Sequence, residues 1–310
     1  MNLGYDKALY LLPFDHRQSY VKDMFDLEPP LTELQREQVI DSKQLIYEGF
    51  RQALAEGVPF EAAGILVDEQ FGAAILRDAR QRGCVTALSV ERSGIDEFEF
   101  EYGGDVARHI EAFDPTFAKV LVRYKPEGDR ALNLRQVGRL KQVSEHCRRS
   151  QRRFMFELLV PPTDDQLAQA GGNKEVFDRQ ARPLLMQQTL RALQDAGTES
   201  DVWEVEGLDS HVDGERIVEI ARRGGRDQVG CIVLGRGADE AKVRGWLTVA
   251  AGVPGFIGFA VGRTRFWDAV SGYRAQTLTR AEAATQIAGR LREWVDIFEV
   301  ARQSHSAVAA

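Results

Sequence analysis

Carboxylates recur at the ends of apolar segments in this chain, often with a basic residue beside them. Asp-Val-Trp-Glu-Val-Glu-Gly (201–207) puts Glu204 and Glu206 two apart in a strand-like run, so both side chains leave one face. A buried carboxylate is costly without a partner, so such a strand needs a cation, a metal or a solvated cavity, unless it is an edge strand with one wet face. Other apolar runs end in a similar way, in Pro13-Phe14-Asp15-His16-Arg17, Val67-Asp68-Glu69-Gln70 and Arg123-Tyr124-Lys125-Pro126. A further run leads into Ser89 and Glu91, and another carries Glu157. Gathered at one mouth, these residues could supply general acids and bases, an amine for attack on a carbonyl, or hard oxygen ligands for a divalent cation.

Two further segments differ in kind. Leu234-Gly235-Arg236-Gly237 and Val261-Gly262-Arg263 each set glycine beside arginine where an apolar run ends and a helix follows. Glycine lets backbone approach an anion, a helix N-terminus offers free N–H groups, and guanidinium forks onto phosphate oxygens. Gly235, Arg236, Gly237, Gly262 and Arg263 are therefore candidate phosphate contacts. Arg17, Asp68 and Arg123 are candidate substrate contacts at other strand ends.

The elements that must position these groups alternate regularly. Strands are expected at Leu9–Arg17, Gly64–Phe71, Val85–Val90, Ala118–Lys125, Phe154–Val160, Asp201–Gly207, Gly230–Gly235 and Gly255–Gly262. Helical patterns cover 31–57, 72–82, 102–112, 133–149, 175–196, 212–223, 238–248 and 276–301. Eight strand–helix units imply parallel strands with crossover helices and predict an α/β fold, a (β/α)8 TIM barrel, with active groups at the C-terminal strand ends. An open doubly wound sheet is the alternative. No linker divides residues 1–310, so a single domain is expected, with 1–7 and 303–310 frayed. The long connection 161–175 is a lid candidate.

Composition narrows the class. A net charge of −7 and no basic face argue against nucleic acid, and the basic run from Lys141 to Arg153 reads as a solvated helix face. Three isolated cysteines fit a reducing cytoplasm, without zinc spacing. With no signal-peptide h-region and no run of 18 apolar residues, no membrane association is expected.

Five segments together resemble a known family. Leu-Pro-Phe-Asp-His-Arg (12–17), Leu-Val-Asp-Glu-Gln-Phe-Gly (66–72), Lys-Val-Leu-Val-Arg-Tyr-Lys-Pro-Glu-Gly-Asp (119–129), Phe-Glu-Leu-Leu-Val-Pro (156–161) and Gly-Phe-Ala-Val-Gly-Arg-Thr-Arg-Phe-Trp (258–267) resemble the 2-deoxy-5-keto-gluconate-6-phosphate aldolase domain found fused to the inositol-catabolic kinase IolC. More distantly, the chain is similar to tagatose-1,6-bisphosphate aldolases. The resemblance implies a barrel, inositol-catabolism-like carbohydrate chemistry and retro-aldol cleavage of a phosphorylated ketose or keto-sugar acid. It makes Asp15 a contact to substrate hydroxyls, Glu157 the general acid/base and Arg263 the phosphate clamp. Barrel aldolases often oligomerise, so a homo-oligomer is left open. One position departs from the pattern. Glu204 stands where the resembling aldolases carry their imine-forming lysine, and a carboxylate forms no imine.

Three readings accommodate this departure. In the first, Lys125 supplies the amine with Glu204 as a proton shuttle, or Lys125 only pairs with Glu204. In the second, Asp68, Glu157, Glu204 and Glu206 hold Mg2+ or Mn2+ for a metal-dependent aldolase, isomerase or epimerase; His16, out of phase with Asp15, faces the helix layer. In the third, the chain is a non-catalytic sugar-phosphate-binding protein. No organic cofactor is expected.

Overall fold

Short β-branched and aromatic runs, each followed by an amphipathic helix, fold as parallel strands because each strand can be covered on both faces. The computed structural model describes residues 2–309. Its strands are β1 (Leu9–Pro13), β2 (Ala63–Val67), β3 (Val85–Ser89), β4 (Phe117–Arg123), β5 (Arg153–Leu159), β6 (Val202–Glu206), β7 (Gly230–Leu234) and β8 (Phe256–Ala260). They pair in parallel in sequence order, and β8 returns to β1, closing an eight-stranded barrel. The (β/α)8 architecture expected from the alternation is the one observed.

The alternation along each strand divides two cores. Leu9, Leu11, Leu66, Ala87, Phe117, Met155, Val202 and Ile232 fill the lower barrel interior. Tyr10, Leu12, Ile65, Phe156, Trp203, Val233 and Phe259 face the helices. Inside the barrel the apolar filling gives way to charge one layer up, where Glu157 of β5 pairs in register with Glu204 of β6.

Several boundaries differ from the sequence expectation. Strand β1 ends at Pro13, and the helix Gln18–Phe25 follows, burying Tyr20, Val21, Met24 and Phe25; this helix was not expected. Strand β2 ends at Val67 because Asp68 turns the chain as an N-cap, accepting from the Phe71 N–H at 2.9 Å. The helix expected to follow the last Gly-Arg pair is Arg263–Arg274, starting directly after Gly262 and ahead of the helical pattern at 276–301. The connection 161–175 holds a short helix, Asp164–Gln169, with a capping box between Thr163 and Gln166. The final helix runs Arg280–Ala309, through the tail expected to fray. The expected helix over 31–57 is Glu33–Ala55; its Gly49 lies against Ile287 of the final helix, so this helix packs within the chain.

The closing seam depends on a close backbone approach. A Cβ at Gly258 would lie 1.8 Å from the Leu9 carbonyl oxygen, a backbone atom that cannot swing aside. Gly258→Ala is therefore expected to destabilise the fold by about 1–3 kcal/mol through overpacking, read as a lowered urea midpoint at unchanged slope. An unchanged midpoint would show that the seam has slack.

Candidate active site

The C-terminal strand ends surround a cavity of about 390 Å³. Its floor is built around Lys119, a lysine not among the residues expected at the site. Lys119 belongs to β4 and points inward with Leu121 and Arg123, one layer below the carboxylates; Met155 is its register partner on β5. Its four-carbon stem climbs past that apolar layer, and the ammonium meets the acids above it. Lys119 Nζ lies 2.6 Å from Glu157 Oε2, 2.8 Å from Asp15 Oδ2 and 3.4 Å from Glu91 Oε1. The lysine side chain is 1% exposed. Arg17, equally sequestered, braces the outer side of this group, with Nη1 2.9 Å from Glu101 and Nη2 donating to the Glu91 carbonyl.

The charges set one another's protonation. Burial alone would lower the Lys119 pKa, but Asp15, Glu157 and Glu91 together hold it well above the ordinary lysine value. Burial alone would raise Asp15, but the Lys119 ammonium, helped by His16 and Arg17, holds that carboxyl at about 2. Glu204 is shifted in the opposite direction. Burial and the neighbouring Glu157 charge push it well above the usual carboxylate range, and its Oε2 has no hydrogen-bond partner. Burial also raises Glu91 and Glu157. An ionised Asp15 thus sits beside an ammonium and a proton-holding Glu204, an arrangement able to transfer protons at a bound carbonyl compound.

The rim carries the arginines. The turn after β7 uses two left-handed residues, Arg236 (φ 48°) and Gly237 (φ 66°), and lines the cavity with Gly235. Beside it Gly262 precedes the helix Arg263–Arg274 and packs so closely on β1 that a Cβ would meet the Pro13 carbonyl oxygen at 1.9 Å. Arg263 lies 4.1 Å over the Trp267 ring and pairs with Asp23 at 2.8 Å. The free N–H groups of that helix and the two guanidinium groups can hold an oxyanion. Arg123 also lines the cavity, near Asp96 and the Ile95 carbonyl.

Thus Asp15, Glu157, Glu204, Arg17, Arg123, Gly235, Arg236, Gly237, Gly262 and Arg263 share one cavity. Three expected site residues do not join them. Lys125 is exposed and outside the cavity, because β4 ends at Arg123 and the chain turns. The Lys125 carbonyl instead accepts from Gly128 N and Asn133 Nδ2 in that turn. Asp68 caps its helix and is ion-paired to the fully buried Lys43, outside the cavity. Glu206 shares the inward face of Glu204 but is held by Arg236 Nε at 2.7 Å and by the Val160 N–H at 2.9 Å. The four carboxylates proposed as a cation set are therefore dispersed. Among the described residues no group of three or more His, Cys, Asp or Glu side chains is arranged to hold a metal. His16, expected in the helix layer, lines the cavity instead. Lys119 was legible in principle, since it shares the parity of Leu121 and Arg123; what concealed it was its place mid-strand, one layer beneath the polar ends.

With this geometry in place, comparison with known proteins assigns a family. Residues 4–302 match the family described as "Uncharacterized protein conserved in bacteria (DUF2090)". The chain belongs to this family. No curated protein matches it in sequence. Among solved structures, Cgl0159 from Corynebacterium glutamicum shares 17% identity with a TM-score of 0.56, covering 94% of this chain and 88% of that one. Fructose-bisphosphate aldolase from Plasmodium falciparum shares 13% with a TM-score of 0.57, covering 96% and 91%. At these identities the likeness shows the fold alone, a (β/α)8 barrel. Among the described residues no helix is long and apolar enough to cross a membrane.

Removing the Lys119 charge tests the site's electrostatics. Lys119→Met leaves Asp15, Glu91, Glu157 and Glu204 facing one another without their common cation. The variant is expected to lose about 3–5 kcal/mol at neutral pH. Its remaining carboxylates then titrate above their unfolded values, so stability is kept at acid pH and lost as pH rises through the raised folded values. The wild type has the opposite dependence at Asp15, whose contribution is present above the unfolded value and is lost as pH falls toward about 2. Urea titrations across pH compare the two; parallel profiles would contradict the assignment of Lys119 as the common cation.

Proposed function

We propose that this protein is an aldolase-type carbon–carbon lyase acting on a phosphorylated ketose or keto-sugar acid, with Lys119 as its carbonyl-reactive amine. The observation that carries the reading is the contact of Lys119 Nζ with Glu157 at 2.6 Å and Asp15 at 2.8 Å on the floor of a cavity rimmed by Arg236 and Arg263. The aldolase among the structural neighbours and the aldolase-like sequence segments support it. The small molecule's phosphate would lie at the arginine rim and its carbonyl at the floor.

The resting ammonium must first lose its proton, and Glu157, whose affinity for protons burial raises, is placed to take it. The amine adds to the carbonyl, and Glu157 returns the proton to the departing hydroxyl, which leaves as water. The ionised Glu157 then removes the proton from the β-hydroxyl. The Cα–Cβ bond breaks, an aldehyde departs, and the bond's electron pair flows into the iminium to give an enamine. Glu157 hands its proton to the enamine carbon, and water hydrolyses the resulting iminium to release the second carbonyl product and restore the Lys119 ammonium. Asp15 holds a substrate hydroxyl and fixes Lys119 in line.

A second reading is favoured by the strength with which the carboxylates hold Lys119 protonated. The ammonium would then stay charged and stabilise an enediolate, as in a sugar-phosphate isomerase or epimerase.

Borohydride reduction during turnover of phosphorylated ketoses, followed by peptide mass analysis, tests the proposal. An adduct on Lys119 is expected, and turnover without trapping would transfer the assignment to the enolising reading. Absence of both cleavage and enolisation, with sugar phosphates still bound, would leave only a binding protein. Lys119→Met is expected to abolish turnover, and Glu157→Gln to slow it about 10²–10⁴-fold. Lys125→Ala should leave the rate within about twofold, as expected of a surface lysine outside the site; a large loss there would contradict the assignment.

A further inference from the structure

The floor of the cavity holds more acid than its cations satisfy. Asp15, Glu91 and Glu157 gather on Lys119, and Arg17 takes up Glu91 and Glu101. Asp68 is served by Lys43 outside the cavity, and Glu206 by Arg236. Glu204 is the carboxyl left over. It is 2% exposed, it lines the cavity, and its Oε2 meets no donor. An orphaned buried acid costs stability, and one facing an open cavity is most readily satisfied by a ligand. The arginines, by contrast, stand at the rim. A ligand that matches this distribution is dipolar, with its anion at the rim and its cation at the floor.

We infer that the phosphosugar taken by this cavity is an amino-sugar phosphate, whose primary ammonium sits against Glu204. The inference rests on the phosphosugar reading above and deepens it. At this position of β6 the chain supplies a carboxyl, and the substrate supplies the amine. A hydroxyl in the same place can donate one hydrogen bond, but it brings no charge to a floor where four carboxyls share one lysine and one arginine. An ammonium does both.

The protonation of Glu204 makes the event measurable. Lys119 faces it from β4, Glu157 from β5, Asp15 from the end of β1 and Glu91 from the end of β3. With the cavity empty, burial and the Glu157 charge favour its protonated form. An arriving ammonium favours the ionised form, so binding releases a proton. The preference for the amine therefore grows as pH rises through the Glu204 titration.

Isothermal titration of the full chain, in buffers of different ionisation enthalpy, compares matched ligands. One pair is glucosamine 6-phosphate and glucose 6-phosphate; the other is 1-amino-1-deoxyfructose 6-phosphate and fructose 6-phosphate. In at least one pair the amino ligand is expected to bind about tenfold tighter, the worth of one charge-assisted contact, with proton release. Glu204→Gln should remove that preference while keeping affinity for the hydroxyl partner. Should Glu204→Gln not fold, the proton release in the wild type and the growth of the amine preference with pH still decide the matter. Equal affinities within both pairs, or a preference that survives Glu204→Gln, would overturn the inference and leave the phosphosugar reading intact. If no member of either pair binds, the phosphosugar reading falls and the inference with it.

Discussion

The site depends on one buried cation. Lys119 pairs with acids from three different parts of the barrel, and each pairing is tolerable only because the others exist. Asp15 keeps its charge because the ammonium is 2.8 Å away. The ammonium keeps its charge because several carboxylates surround it. Taking such charges out of water costs several kcal/mol per ion, so the cluster is expensive as a purely structural device. The cluster lies on the floor of an open cavity, where a bound molecule would meet it.

The fold serves this arrangement by layering. Apolar residues fill the lower barrel, which fixes the strands and leaves the ends of the long polar side chains to meet above. The chain then isolates its other buried charges. Lys43 pairs with Asp68, and Arg236 and Arg182 share Glu206 and Asp178, in groups apart from the central cluster. That separation is why carboxylates so close in sequence, such as Glu204 and Glu206, have different partners. It also leaves Glu204 unpartnered at the floor.

Much of this was legible in the chain. Alternation of apolar runs and helical patterns located all eight strands, because both faces of each strand are buried and the signal is strong. The polar endings located the mouth, and the Gly-Arg pairs located its rim. The helix Gln18–Phe25 was lost because its eight residues directly follow Asp15-His16-Arg17, which read as a strand end. The lysine was misplaced for a different reason. Lys125 satisfies alternation on paper, but alternation ends with the strand at Arg123, and a lysine stem is long enough to act one layer above its own Cα. Asp68 shows the same limit, since a carboxylate after a strand is as good a helix cap as a ligand.

Lys119 rests as an ammonium caged by carboxylates at the barrel mouth. Nitrogen-15 NMR of the lysine Nζ, assigned by comparison with Lys119→Met and followed with rising pH, observes that state directly. The Lys119 resonance is expected to keep its ammonium shift after free lysine side chains have lost theirs. A Lys119 that turns to the neutral amine before the surface lysines would contradict it.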